Sequence, residues 1–161
     1  MSSPQAPDLL KSPIQLLAFG LGSGLSPKAP GTVGTLAAVP LYWLLAHLDL
    51  VNYSIAVVAA FFAGVWICDQ ASRQLQVHDH PGIVWDEFVG FWITMWALPV
   101  TWPWIVAGFL AFRLFDIAKP WPIGWLDKRV AGGLGIMIDD VVAGLLACGT
   151  LHSVHWLVVT L

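Results

Sequence analysis

Polar and apolar positions along this chain do not alternate. They segregate into long apolar runs separated by short turns rich in glycine, proline and charge. Runs at 36–45, 51–68, 88–98, 105–115 and 138–161 are apolar on most sides, the pattern of a membrane span or of a helix buried on every face. Counted as crossings, they predict five segments at roughly 32–47, 51–69, 86–99, 103–119 and 138–160, a multi-pass helical membrane bundle. A hydrocarbon core of ~30 Å asks for ~20 helical residues, so the shorter runs require local thinning or partial insertion. Residues 1–13, with Pro4, Pro7 and Pro13, predict a flexible N-terminal arm, and 14–161 a single membrane-embedded domain. Pro120 predicts that the run from Ile105 stops near Lys119.

Composition sharpens this picture. The 161 residues are 58% hydrophobic and 11% charged, and mean hydropathy is +0.76. Such a chain cannot cover its surface with polar groups, so lipid is the natural solvent for its outside. A Trp-rich soluble bundle is the competing reading, which the length of the apolar runs disfavours. The ten tryptophans suit membrane interfaces. A net charge of −3 excludes a nucleic-acid partner that would need many phosphates neutralised. Cys68 and Cys148 lie inside apolar runs and read as small core residues. Residues 1–12 are polar and lack the apolar core of a cleavable signal peptide.

With five crossings, Lys11, Lys28, Arg73, Lys119, Lys128 and Arg129 share one side, which the positive-inside rule makes cytoplasmic. Asp69, Asp79, Asp86, Glu87, Asp116, Asp127, Asp139 and Asp140 fall there too, while Asp49 goes across. Carboxylates gathered from several helix ends repel one another unless a cation lies between them. All-oxygen ligation selects a hard ion, Mg²⁺ or Mn²⁺. The loop from Gly20 to Thr35 is dense in Gly and Pro and feeds a helix, so with Lys28 it reads as a phosphate cradle. It reads equally as a turn with Thr32 or Thr35 as an N-cap. His78 and His80, two apart in a Pro-Gly loop, are a weak metal signal. No covalent nucleophile sits on the charged face, which points to attack by a metal-activated water with a carboxylate as general base.

Four runs make a resemblance specific: Gly-Ser-Gly-Leu-Ser-Pro-Lys-Ala-Pro-Gly-Thr-Val-Gly-Thr (22–35), Val-Trp-Asp-Glu-Phe-Val-Gly (84–90), Phe-Arg-Leu-Phe-Asp-Ile-Ala-Lys-Pro-Trp-Pro-Ile (112–123) and Gly-Ile-Met-Ile-Asp-Asp-Val-Val-Ala-Gly (135–144). Together they resemble the phosphatidylglycerophosphatase A family. The resemblance implies an all-α fold, helices around a central helix. It also implies hydrolysis of phosphatidylglycerophosphate to phosphatidylglycerol, with Mg²⁺, in the bacterial inner membrane. By position, the family's motifs fall on Asp86 and Glu87, on Asp116 and Lys119, and on Asp139 and Asp140, with the Pro-Gly-Thr loop on Lys28, Gly31 and Thr32. Neighbouring helical residues diverge by ~100°, so both members of an acidic pair need not reach one ion. Glu87, Asp116 and Asp139 are the expected metal ligands, leaving Asp86 or Asp140 as base or outer partner. Lys28, Gly31, Thr32 and Lys119 are expected to hold the substrate phosphate. The rival is a transporter or proton relay using the same carboxylates, which predicts acids in mid-helix rather than at helix ends.

Overall fold

Every regular element among residues 11–77 and 79–160, which this computed structural model describes, is helical. The order is α1 (Pro13–Ala18), a 3-10 segment (Gly20–Leu25), α2 (Pro30–Leu45), α3 (Leu50–Leu75), α4 (Trp85–Thr94), α5 (Trp102–Ala118), α6 (Ile123–Asp127) and α7 (Gly132–Thr160). The expected arm falls mostly on residues 1–10, outside the described part, as does His78.

Local chemistry explains most boundaries. Ser12 caps α1 by accepting from the Gln15 N–H, with Pro13 in the first turn. Asp49 caps α3 by accepting from the Val51 and Asn52 N–H groups. The α5 helix ends as its sequence predicts, with Lys119 turning left-handed (φ 42°) before Pro120.

Three boundaries differ from expectation. The α3 helix runs six residues beyond 69, so Asp69 and Arg73 pair at 2.9 Å inside it, one turn apart. The α4 helix stops at Thr94; ten residues make about 15 Å, half a hydrocarbon core. The α7 helix starts at Gly132, six residues before Ile138, so Asp139 and Asp140 lie about two turns inside it rather than at its start. The reason is packing: Gly133 presses its bare Cα against the Val65 carbonyl of α3, a contact no larger residue could make. Of the five expected crossings, α3 and α7 are long and apolar enough to cross a membrane by length and composition.

The α7 helix is the central one. It packs against α3, α4, α5 and α6, and 56% of its most apolar stretch is buried, against 22% for α3. Glycines set the closest approaches. Gly144 of α7 faces the Gly90 carbonyl of α4, and Gly64 of α3 lies against Trp85 and Met137. Core aromatics hide their rings and satisfy their polar tips: Tyr53 Oη donates to the Trp92 carbonyl and Trp92 Nε1 to that of Ala38. Cys68 and Cys148 are buried free thiols, as expected.

Outside, the bundle stays apolar. Val51, Ile55, Val58, Phe62 and Trp66 form one exposed stripe along α3, and Trp102, Val106, Leu110, Leu114 and Ile117 another along α5. The charged termini of α3, α4, α5 and α7, with α6, gather at one end of the bundle. Among the described residues only Asp49 puts a charge at the other, where Trp43 packs on Trp102 and His152 on Trp96.

Candidate active site

Three helices deliver five carboxylates to one place. Asp86 and Glu87 open α4, whose N-cap Val84 offers no side-chain acceptor, so the acids meet the positive end of the helix themselves. The last turns of α5 supply Arg113 and Asp116, three residues apart on one face, with Nη1 to Oδ2 at 2.6 Å. Arg113 Nη1 also lies 3.7 Å from Glu87 Oε1. From α7 come Asp139 and Asp140, 7% and 3% exposed. The Gly90–Gly144 contact is what allows α7 to bring Asp140 beside Asp86 and Glu87.

Carboxylate oxygens of Asp86, Glu87 and Asp140 lie within 4.8 Å of one another, as do those of Asp116, Asp139 and Asp140. Asp86 Oδ1, Glu87 Oε2, Asp139 Oδ1 and Asp140 Oδ2 are buried without a hydrogen-bond donor. Unpaired buried acceptors of this kind are costly, and four in one cluster are what a hard cation satisfies. The donor set, all oxygen and all acidic, fits Mg²⁺ or Mn²⁺. At the head of α4, burial and then repulsion from Glu87 and Asp140 push Asp86 well above the usual carboxylate range. Burial likewise pushes Glu87 to about 7, against the lowering effects of its hydrogen bond with Asp86 and of the Arg113 charge.

Lys119 sits differently from its neighbours. Its Nζ donates to Asp139 Oδ2 at 2.8 Å and to Asp127 Oδ1 at 2.9 Å, tying α6 to α7. Partial burial opposes its charge, but those hydrogen bonds and carboxylates outweigh it and raise its pKa. Asp79, Asp86, Asp127 and Asp139 line a cavity of about 50 Å³ beside this lysine.

The Pro-Gly-Thr run is the first turn of α2. Its cap is Ala29, left-handed at φ 46°, so neither Thr32 nor Thr35 is the N-cap; Thr35 Oγ1 instead donates to the Gly31 carbonyl at 2.9 Å. A Cβ on Gly31 would run into Glu87 Oε1 and stand 3.2 Å from both Arg113 terminal nitrogens. The α2 N-terminus, with first-turn N–H groups that have no helical partner, therefore abuts the carboxylate cluster. Lys28 is exposed, two residues before the helix. His80 packs its ring on Phe19 and accepts from the Gly82 N–H through Nδ1. Among the described residues no histidine joins either carboxylate group.

Arg113 is the site residue that the sequence reading missed. Its signal was present: it is the only charge in α5 before Asp116, and it precedes that residue by one helical turn.

A family model described as phosphatidylglycerophosphatase A matches residues 16–155. The chain belongs to that family. Phosphatidylglycerophosphatase A of Escherichia coli (strain K12) is 51% identical over 150 residues, covering 91% of this chain and 87% of the relative. The Haemophilus influenzae protein of the same description is 44% identical over 149 residues, covering 91% of each. No solved structure matches. The phosphatidylglycerophosphatase A match takes in every carboxylate of the cluster, Arg113, Lys119 and the α2 N-terminus, and reaches into the last turns of α7.

Proposed function

We propose that this protein is a Mg²⁺-dependent phosphatidylglycerophosphatase, an integral protein of the bacterial inner membrane acting at the cytoplasmic face. One observation carries the reading. Buried, donor-poor carboxylates from three helices meet an arginine and a helix N-terminus at the charged end of a bundle whose outside is apolar. The names of its relatives supply the lipid. The stripes on α3 and α5 face acyl chains, residues 14–161 act as one embedded domain, and the basic residues gathered at the site's end favour a cytoplasmic orientation.

Bound among these carboxylates, Mg²⁺ would supply positive charge toward the phosphoryl group and make a nearby water more acidic. Glu87 and Asp140 from one group, and Asp116 and Asp139 from the other, would hold the metal. Asp86, in the same cluster with Oδ1 unpaired, takes the proton of the attacking water. Arg113 and the Gly31 and Thr32 N–H groups hold the phosphate, Gly31 because it lets the helix end approach. Lys119 positions Asp139 through their 2.8 Å contact, and Lys28 meets the headgroup from the solvent side. Water adds at phosphorus, the P–O bond to glycerol breaks, and the proton taken up by Asp86 passes to the leaving oxygen, giving phosphatidylglycerol and phosphate.

The position of Asp139 and Asp140 inside α7 meets one expectation of the proton-relay rival. A relay also needs a polar path onward. Toward the far end the buried side chains include Phe91, Met95, Ala147 and Leu151, and among the described residues no charge is buried there.

The test is phosphate release from phosphatidylglycerophosphate by purified protein in detergent, with Mg²⁺ and with chelator. Release is expected only with Mg²⁺, and strongly reduced in Asp139→Asn and Glu87→Gln; release indifferent to chelator would remove the metal from the reading. A cysteine at position 79 should label from the cytoplasmic side only, and labelling from outside would reverse the orientation. Gly31→Ala is expected to lower turnover by about 10²-fold, because its methyl displaces the Glu87 carboxylate and the arginine. Turnover in that variant within threefold of wild type would mean the α2 end takes no part.

A further inference from the structure

We propose that the site holds two divalent cations sharing the carboxylate of Asp140. The inference rests on the metal-assisted reading above and adds the number and arrangement of the ions. The five carboxylates divide into two sets rather than one: Glu87 and Asp140 with Asp86 beside them, and Asp116 and Asp139 with Asp140 again. Asp140 belongs to both. The outer members of the two sets, Glu87 and Asp116, are separated by the Arg113 guanidinium, which lies 3.7 Å from one and 2.6 Å from the other. A cation already standing between them keeps Glu87 and Asp116 from serving one ion.

Unpaired oxygens occur in both sets. Glu87 Oε2 belongs to the first, Asp139 Oδ1 to the second, and Asp140 Oδ2 to the residue they share, with Asp139 and Asp140 only 7% and 3% exposed. A single ion in either set would leave a buried acceptor of the other without a partner.

Charge points the same way. Asp86, Glu87, Asp116, Asp139 and Asp140, together with Asp127, face two ion-paired basic groups, Arg113 and Lys119. With these six ionised, as cation binding would require, four formal negative charges remain, and Asp79 in the same cavity adds another. One divalent ion would leave a site that repels a phosphomonoester dianion, and two would offset most of that charge. A pair of ions can also stabilise both the attacking and the leaving oxygen of an in-line displacement.

Mn²⁺ is the probe, added to chelator-stripped full-length protein in detergent and counted by equilibrium dialysis and electron paramagnetic resonance. Wild type is expected to bind two Mn²⁺ per chain with a spin-coupled spectrum, as a shared carboxylate requires. Glu87→Gln and Asp139→Asn should each bind one, with the coupling gone, and Asp140→Asn should lose tight binding of both. One Mn²⁺ per chain in wild type overturns the proposal, as do two uncoupled ions or unchanged counts in Glu87→Gln and Asp139→Asn. The wild-type count decides even if a variant misfolds. Phosphate release measured on the same preparation separates the two claims. Hydrolysis with one ion per chain overturns only the pair, and two coupled ions without hydrolysis support the pair while removing the phosphatase reading.

Discussion

Asp140→Asn is expected to lower phosphate release by about 10²–10³-fold while the helical fold stays intact, the range for removing one electrostatic contributor to a transition state. Asp140 is the carboxylate common to both groups, and it sits on the central helix where α4 comes closest. Asparagine keeps its shape and removes its charge. In chelator the variant should melt no lower than wild type, because one charge fewer remains in a cluster of mutually repelling acids. On adding Mg²⁺, wild type should rise in melting temperature and the variant should not, since an ion binding only the folded state stabilises it in proportion to its occupancy. Activity within tenfold of wild type, or an equal Mg²⁺ response in both proteins, would take Asp140 out of the centre of the site.

The acids were legible because charge is scarce in an oily chain and each one stands out. The end of α5 was legible because Pro120 forbids continuation and Lys119 can turn left-handed. The start of α7 was not. Gly132, Gly133 and Gly135 punctuate a sequence like a turn, and the helix starts there because Gly133 packs on the Val65 carbonyl, 68 positions away, with Gly132 itself left-handed at φ 72°. The division between Asp139 and Asp140 was half legible. Their directions differ by ~100°, as helix geometry demands, but which direction faces α4 depends on the Gly90–Gly144 contact. Lys119 is expected from its position to hold the substrate phosphate, and its ion pairs were not legible. Its two carboxylate partners arrive from α6 and α7, so no local pattern announces them.

Arg113→Ala should be the most damaging change to a basic residue, costing about 3–5 kcal/mol of stability in chelator and at least as much activity as Asp140→Asn. The guanidinium is 13% exposed between Asp116 and Glu87, themselves 13% and 12% exposed, so alanine strands two buried carboxylates with no counter-charge. Arg113→Lys separates charge from geometry. A lysine restores one positive charge and most of the stability, but a single ammonium cannot span both acids and present a flat donor fork to phosphate. Its expected signature is a near-normal melting temperature with a raised KM and a lowered kcat. Mg²⁺ should recover part of the stability lost in Arg113→Ala, because it offers the same two carboxylates another cation. Arg113→Ala with wild-type kcat and KM would show that the arginine only braces the helices. Full activity in Arg113→Lys would show that charge alone is needed there and that the fork geometry is incidental.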